Sequence, residues 1–356
     1  MDAAAPQASP CLARERLPGG LLVLTASNGP VNSLSQPMRQ ALLCAVQQSA
    51  RLPDIHALVL TCAGSTFHAG ADLDELDRGL QQPGLFEFVQ ACADSPPVMV
   101  AALHGTVFGG GLLVALACDW RVAEAGTRFA MPEVGLGLLP TFGGTLLLPR
   151  LVGVEPALRL IVDGEQWSAE QAREHGLIDE IVPAGTRVSC ALRASIGRAK
   201  RPVRDMRRHE EGGATRADAF ARRRRALAGQ PEPAAAPLRC LDVMQRGLDM
   251  PLEDAHRLEH AAFLELLAGP QSRRLRRRFF GARALRREAF DHAAVTARLQ
   301  QARSEPERLR LEARALLSEG VLRSAAALDA LLVECLALPG HAPGPLEDLF
   351  AQARAE

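Results

Sequence analysis

The stretch HGTVFGGGLLVALACDW, residues 104–120, decides how this sequence is interpreted. Three consecutive glycines, 109–111, separate one apolar run from another. Residues 98–118 together are long and apolar enough to resemble a membrane span, but His104 and the glycines interrupt them and no basic cluster flanks them. The pattern therefore predicts a buried strand, a tight turn and a buried helix, and no membrane span.

The composition is that of an ordinary globular protein. The chain has 356 residues, of which 47% are hydrophobic and 23% charged, so it holds enough apolar material for a sizeable core. The formal net charge is zero, and we expect no nucleic-acid partner. Basic runs at 222–225 and 273–278 are interpreted as solvated helix faces, with a surface for acidic partners or phosphates as the alternative.

Cysteine usage indicates a reducing environment. The eight cysteines include no CxxC pair, and several of them lie in apolar runs. This usage predicts reduced, buried thiols, no disulfide framework and no metal site. The N-terminal residues lack the charged-then-apolar pattern of a signal peptide. We expect a cytoplasmic protein whose first residues form a flexible tail.

Strands and helices alternate along the first half of the chain. Short runs rich in valine and leucine predict buried strands at 21–26, 57–62, 98–103 and 120–125. Apolar spacing within 33–53 predicts a helix, with Ser33 or Ser35 as its N-cap. The alternation predicts an α/β fold with crossover helices.

The character of the sequence changes near residue 190. The later part is dense in alanine, arginine, leucine and glutamate, which favours helices, and it contains Pro- and Gly-rich breaks at 229–237 and 338–345. We therefore predict an α/β core over residues 12–195, a helical linker or extension over 196–290 and a C-terminal helical region over 291–356.

Two turns have the composition of a backbone binding site. In STFHAGADLDEL, residues 65–76, the small residues at 69–71 allow another group to approach the backbone, and DLDEL is typical of a helix start. The N–H groups of such a turn can bind an anion or a polarised carbonyl. The glycines at 109–111 repeat the arrangement. Together the turns can offer two donors to one oxygen, an oxyanion hole worth roughly 10² to 10³ in rate per donor. An ordinary tight turn is the alternative for the first segment.

A carboxylate follows in FAMPEVGLGLLPTFGG, residues 129–144. Pro132 favours an extended Met131, and Glu133 comes directly after it. A carboxylate on a short loop between apolar segments is a candidate general base, because apolar surroundings raise its pKa. The alternative is a glutamate that only interacts with a helix dipole.

Three further polar residues near these segments are weaker candidates. Asp119 lies nearly two helical turns beyond Leu113, and a structural role is favoured for it. His68 and His104 precede the two turns, where contact with a ligand competes with a packing role.

With these segments in this order, the sequence resembles the crotonase, or enoyl-CoA hydratase/isomerase, superfamily. The resemblance covers residues 15–195, with several segments in the right order. The matching segments are GPVNSLSQPMRQAL (29–42), HAGADLDEL (68–76), HGTVFGGGLLVALACDWRVAEAGTRFAMPEVGLGLLPTFGGT (104–145) and EQWSAEQAREHGLIDEIVP (165–183).

The resemblance implies a core of ββα spiral turns, followed here by the mostly helical extension. Such proteins bind coenzyme A thioesters and form homo-oligomers, so we expect a trimer or a dimer. By motif position, the amides of Ala71 and Gly110 form the oxyanion hole and Glu133 is the catalytic carboxylate. The residues placed by the resemblance near the substrate are His68, Ala69, Gly70, Asp72, Leu73 and Leu113.

A second resemblance concerns the helical remainder. Residues 269–287 and 312–350 resemble parts of the multifunctional α-subunits of bacterial fatty-acid oxidation complexes. A nicotinamide-binding dehydrogenase domain should lie between them, but the 24 residues at 288–311 are too few for it and no GxGxxG follows residue 195. We therefore expect no NAD and no other cofactor; coenzyme A enters only as part of the substrate.

The residue type at position 113 distinguishes two activities within the superfamily. Its hydratases use two glutamates to hold a water molecule, and the first of them would fall at residue 113, which is leucine. Mitochondrial-type enoyl-CoA isomerases resemble this chain in having an apolar residue there while keeping the later glutamate. A single base at Glu133 then predicts a Δ3-Δ2-enoyl-CoA isomerase. The alternatives are a hydratase or a biosynthetic acyl-CoA enzyme, and a non-catalytic acyl-CoA-binding or scaffold subunit.

Overall fold

The structure is a computed structural model. It describes residues 9–210, 213–229, 235–285, 290–302, 306–324, 327–328 and 330–332. The chain divides into two compact units, Met1–Glu265 and Leu266–Glu356. The predicted break at 338–345 and most of the predicted N-terminal tail lie outside the described residues. The predicted domain limits at 195 and 290 stay predictions.

The first unit contains all nine strands in the described part of the chain. They are β1 (Leu12–Leu17), β2 (Leu21–Ala26), β3 (Ala57–Cys62), β4 (Val98–Leu103), β5 (Thr106–Phe108), β6 (Trp120–Glu124), β7 (Arg128–Ala130), β8 (Gln166–Trp167) and β9 (Glu180–Val182). The four predicted strands are confirmed as β2, β3, β4 and β6. The predicted strand, turn and helix around the triple glycine are confirmed as well.

The strands form two sheets. The larger has the order β1-β2-β3-β4-β6-β9; β1 pairs with β2 antiparallel and the other neighbours are parallel. The smaller has the order β5-β7-β8, with β5 and β7 parallel. Every residue of β3 and β4 is buried, as expected for central parallel strands covered on both faces. The parallel neighbours of the larger sheet are thus connected through helices, which is the predicted α/β architecture.

Helices connect and cover the strands. Those that begin in the first unit are α1 (Gln36–Ser49), α2 (Leu73–Arg78), α3 (Leu85–Asp94), α4 (Gly110–Leu116), α5 (Gly144–Val152), α6 (Val154–Ile161), α7 (Ala169–Glu174), α8 (Arg187–Ser195), α9 (Gly213–Ala228), α10 (Ala235–Gly247) and α11 (Leu252–Ala268). Short 3-10 helices span Pro132–Leu136, Val203–Asp205 and Arg208–Glu210.

Helix α1 begins where its sequence predicts. Ser35 is its N-cap residue, but the Ser35 hydroxyl accepts a hydrogen bond from Asn28 Nδ2 at 3.0 Å and caps no helical amide. Met38, Leu42 and Val46 are fully buried, so the predicted apolar face is the one that packs on the core.

Helices α9 and α10 pack against the α/β core within the first unit. Helix α10 packs against α5 and α6, and α9 packs against α6. The approach of α10 to α5 is close, since a Cβ atom placed on Gly247 would lie 2.8 Å from Leu146 Cδ2. Predicted helices after residue 195 therefore complete the first compact unit.

The second unit is helical where it is described. Its helices are α12 (Pro270–Leu285), α13 (His292–Ala302) and α14 (Pro306–Ser318). Leucines from α13, α14 and the residues after them, including Leu299, Leu316 and Leu328, form a separate buried cluster. Across the described ranges, no helix combines the length and the apolar character needed to cross a bilayer.

Candidate active site

The two turns predicted to offer amides lie side by side. Ala71 follows β3 and pairs with Leu34 in an isolated parallel bridge, and Gly110 is the first residue of α4. A Cβ atom placed on Gly110 would lie 3.7 Å from the backbone nitrogen of Ala71. Neither N–H donates a backbone hydrogen bond to any residue within the described ranges. The N–H of Gly110 belongs to the first residue of α4 and therefore has no partner inside that helix. Binding of one ligand atom by both amides stays a prediction.

Close packing and backbone hydrogen bonds shape the second turn. Gly109 has φ 52° and ψ −122°, a left-handed φ that favours glycine, and its N–H donates to the carbonyl oxygen of Ala130 at 2.9 Å. A Cβ atom placed on Gly111 would lie 2.2 Å from the carbonyl oxygen of His68, which a side chain cannot do. Two of the three glycines are thus required by geometry, one by φ and one by space.

Side chains from a distant loop hold the first turn. Asn32, itself left-handed at φ 48° and buried, donates from Nδ2 to the carbonyl oxygens of Ala63 (2.8 Å) and Thr66 (2.9 Å). Its own carbonyl oxygen lies 2.6 Å from Nδ1 of His68. The amide of Ala69 donates to the carbonyl oxygen of Val31 at 3.1 Å. Asparagine tolerates the left-handed conformation that this loop needs, and its amide supplies the donors.

His68 is a fully buried member of that network. Burial lowers its pKa to about 4, a hydrogen bond to Asn32 opposes the shift, and His104 adds to it. The ring is therefore neutral at pH 7. Since a carbonyl oxygen only accepts, Nδ1 carries the proton and Nε2 is an acceptor, without a partner within the described residues. Contact between His68 and substrate stays a prediction.

An ion pair that the sequence analysis missed holds α2 next to the turn. Arg39 of α1 uses all five of its N–H donors, with Glu75 as a bidentate partner at 2.7 Å and the carbonyl oxygens of Leu34, Gln81 and Pro83 as the others. Arg39 is buried and Glu75 is partly buried. Burial acts to raise the pKa of Glu75, but the hydrogen bonds from Arg39 and Gln81 hold it below its usual value. The sequence did contain a signal for this ion pair, because Arg39 lies on the buried face of α1 and a buried charge needs a partner.

Glu133 lies beside the glycine turn. It sits in the 3-10 helix Pro132–Leu136, and a Cβ atom placed on Gly109 would lie 2.7 Å from Oε1 of Glu133. Its other oxygen, Oε2, is buried and has no hydrogen-bond partner within the described part of the chain. Burial raises the pKa of Glu133 to about 7, its own backbone amide opposes the shift and nearby Glu259 adds to it. A carboxylate poised between its two protonation states near neutral pH suits proton transfer.

The remaining predicted residues are distributed around the turns. Leu113 is buried in the first turn of α4, where its N–H donates to Gly109, and α4 carries no carboxylate. Gly70 accepts from the amide of Leu34 at 3.0 Å. Asp72 immediately precedes α2, and its carbonyl oxygen accepts from the amide of Glu75. Leu73 is the first residue of α2, and its side chain lies outside the described structure.

Asp119 has the structural role that its sequence favoured. Its buried carboxylate accepts from the amides of Met99 (2.8 Å) and Arg201 (2.7 Å) and pairs with Lys200 at 3.1 Å. The carboxylate therefore joins β4 to the segment that follows α8. His104 likewise bonds a backbone carbonyl, that of Gly64, at 3.1 Å.

Comparison with known proteins points to one family. The profile of the enoyl-CoA hydratase/isomerase family matches residues 16–207. The peroxisomal bifunctional enzyme of Homo sapiens is 32% identical over 282 residues, which are 75% of this chain and 38% of that protein. The enzyme of the same name from Danio rerio is 37% identical over 164 residues, 46% of this chain and 23% of that protein. This chain thus spans well under half the length of these relatives.

Solved structures agree on the fold. An enoyl-CoA hydratase/isomerase from Pseudoalteromonas atlantica T6c aligns with a TM-score of 0.57 at 24% identity, covering 76% of this chain and 96% of that one. DspI from Pseudomonas aeruginosa aligns with a TM-score of 0.50 at 28% identity, covering 75% and 99%. The fold is thus the α/β crotonase fold with a helical C-terminal region. The chain belongs to the enoyl-CoA hydratase/isomerase family, the crotonase superfamily. Within it, the chain is a distant homologue of the peroxisomal bifunctional enzymes.

Proposed function

We propose that this protein is a Δ3-Δ2-enoyl-CoA isomerase with Glu133 as its only acid–base group. The observation that carries the proposal is that Glu133 lies beside Gly109, while the helix that begins at the glycine turn carries a buried Leu113 and no carboxylate. Hydration needs two groups that position and activate water, whereas moving a double bond needs one base that carries one proton. The proposal assigns that base to Glu133, because α4 has leucine at residue 113 and no carboxylate.

The proposed proton transfer uses three groups. The amides of Ala71 and Gly110 donate to the thioester oxygen. The carboxylate of Glu133 removes a proton from C2, and the electron pair of that C–H bond moves into the C1–C2 bond as charge develops on the oxygen. The protonated Glu133 then returns the proton at C4, and the double bond moves from C3–C4 to C2–C3. Each fixed donor contributes roughly 10² to 10³ in rate, and a positioned base roughly 10² to 10⁴.

Acyl-CoA is the proposed substrate class. Its support is the family profile, which spans both amide turns and Glu133. Residues 69–73 would contact the coenzyme A portion, and no other cofactor takes part in the steps above. The free cysteines of the described residues suit a reducing compartment such as the cytoplasm, and a homo-oligomer is the proposed assembly.

The test is turnover of a 3-enoyl-CoA, followed as formation of the conjugated 2-enoyl product. We expect the wild type to turn over and Glu133→Gln to lose at least about 10³ in kcat, because glutamine cannot move the proton. Glu174→Gln, which removes an exposed carboxylate from α7, is the matched control and should retain full activity. Equal rates for the wild type and Glu133→Gln would remove Glu133 from the mechanism.

Two further measurements separate the alternatives. Enzyme-like hydration of crotonyl-CoA by the wild type would identify a hydratase and contradict the role given to Leu113. Tight acyl-CoA binding without turnover of any enoyl-CoA would identify a binding or scaffold subunit.

A further inference from the structure

A second buried carboxylate lies behind the candidate active site. Glu259 of α11 is fully buried. Its Oε2 accepts from the amide of Gly143 at 2.6 Å, and its Oε1 accepts from the amide of Thr145 at 2.9 Å and the Thr145 hydroxyl at 2.6 Å. No lysine or arginine pairs with it in the described part of the chain. Three donors at the start of α5 therefore take the place of a counter-ion.

The segment that Glu259 binds has an unusual backbone. Phe142 and Gly143 are consecutive left-handed residues, with φ 60° and 99°. A left-handed phenylalanine is disfavoured, so the surrounding contacts must hold it in place. The carboxylate of Glu259 supplies such contacts, because it binds the residues immediately after Phe142.

This segment also lies close to both halves of the candidate site. A Cβ atom placed on Gly144 would lie 3.8 Å from Cε of Met131, two residues before Glu133. On the other side, the ring of Phe142 approaches Gly84 so closely that a Cβ atom there would lie 2.8 Å from Cε1. The next residue, Leu85, lies against Gly110.

Glu259 is also an electrostatic neighbour of Glu133. Its negative charge raises the pKa of Glu133, in addition to the larger effect of burial. Burial raises the pKa of Glu259 itself to about 7, which its three hydrogen bonds oppose. The other titratable group near both is Cys240 of α10, and burial raises the pKa of that thiol so far that it stays neutral. Glu259 is therefore the charged group that Glu133 faces within the described residues.

We propose that Glu259 is a positioning residue for Glu133: it fixes residues 143–145 between Met131 and Leu85, and its buried charge acts on the Glu133 carboxylate. The proposal rests on the proposed role of Glu133 as the base. It assigns an active-site task to the helical extension, which supplies Glu259 from α11.

The first test is the pH dependence of kcat/KM for isomerisation. In Glu259→Gln the repelling charge is gone, so Glu133 ionises more easily and the acid limb should move to lower pH by roughly half a unit to one unit. Glu265→Gln removes an exposed charge from the same helix and should leave the limb unchanged. A fall in kcat without any movement of the limb would mean that Glu259 is merely structural.

Two substitutions of Thr145 perturb Glu259 less than its replacement does. They test the proposal even if Glu259→Gln does not fold. Thr145→Val removes one donor to Glu259, makes its carboxylate form less favourable and should move the acid limb in the same direction by less. Thr145→Ser keeps the hydroxyl and should restore the wild-type profile. Identical profiles for the valine and serine variants would count against the proposal.

A second test needs no turnover. Urea unfolding of the wild type, Glu133→Gln, Glu259→Gln and the double variant gives a double-mutant cycle at each pH. We expect the two substitutions to be coupled by roughly threefold to tenfold in the unfolding constant at pH 8, where both carboxylates are ionised, and to be additive at pH 5. Coupling in a protein that does not isomerise would overturn the proposed function and leave the interaction intact. Additivity at both pH values in an active enzyme would overturn the interaction and leave the function intact.

Discussion

The two turns of the candidate oxyanion hole are built in different ways. The turn at 109–111 is fixed by its own glycines, which allow a left-handed φ and a backbone approach that leaves no room for a methyl group. The turn at 69–71 is fixed by side chains from elsewhere, mainly Asn32 and the Arg39–Glu75 pair. Both turns contain a left-handed glycine, Gly109 at φ 52° and Gly70 at φ 123°, but the turn at 69–71 depends in addition on polar partners more than 30 residues away in the chain.

The largest expected effect tests the glycine turn. In Gly111→Ala the new methyl group meets the carbonyl oxygen of His68 at 2.2 Å, and neither backbone can yield without separating the two turns. We expect a loss of about 4 kcal/mol or more in the free energy of unfolding, measured in urea. Gly135→Ala is the control, because a methyl group there meets nothing within 4 Å. Wild-type stability in Gly111→Ala would show that the turn is not sterically fixed.

A smaller effect is expected at the turn held by side chains. Arg39→Met leaves the partly buried Glu75 without its partner, and we expect a loss of about 3 kcal/mol in the free energy of unfolding. The double variant Arg39→Met/Glu75→Leu removes the stranded charge and should recover much of that stability. If the double variant were no more stable than Arg39→Met, the hydrogen bonds of Arg39 to backbone carbonyls would carry the effect and the charge pair would not.

The smallest effect concerns the carboxylate beside the glycine turn. The pKa of Glu133 is about 7 in the folded protein and near 4.3 in the unfolded chain, so the folded state binds more protons between those values. Stability contributed by this group is present at low pH and is lost as the pH rises through 7. The full linkage value for this shift is about 4 kcal/mol, and the partial exposure of the Glu133 side chain reduces it. Glu133→Gln should therefore be more stable than the wild type by about 2 kcal/mol at pH 8, with the difference vanishing near pH 4. A pH-independent difference in urea unfolding would contradict the raised pKa.

The difference between the two turns also explains which parts of the structure could be predicted from the sequence. Strands β2, β3, β4 and β6 and the start of α4 follow from local patterns of valine, leucine and glycine, and they appear where expected. Local sequence patterns also indicated the glycine turn at Gly109 and the carboxylate at Glu133. Only the fold, however, brings Oε1 of Glu133 next to Gly109.

The polar partners were not predicted because their contacts are long-range. Arg39 and Glu259 each occupy a buried stripe of an otherwise ordinary helix, α1 and α11. A charged residue at such a position indicates a buried partner. Which residue that partner is depends on how the chain crosses over, and no local pattern contains that information.

The bond from Glu259 to Gly143 has a consequence for the order of folding. It closes a loop of 116 residues, and contacts between such distant residues form late because the chain entropy must be lost first. A polypeptide that ended at residue 207 would contain the whole matched family profile and still lack this contact. The loop between Phe142 and Thr145 would then reach its final geometry only after α11 has been synthesised and has docked.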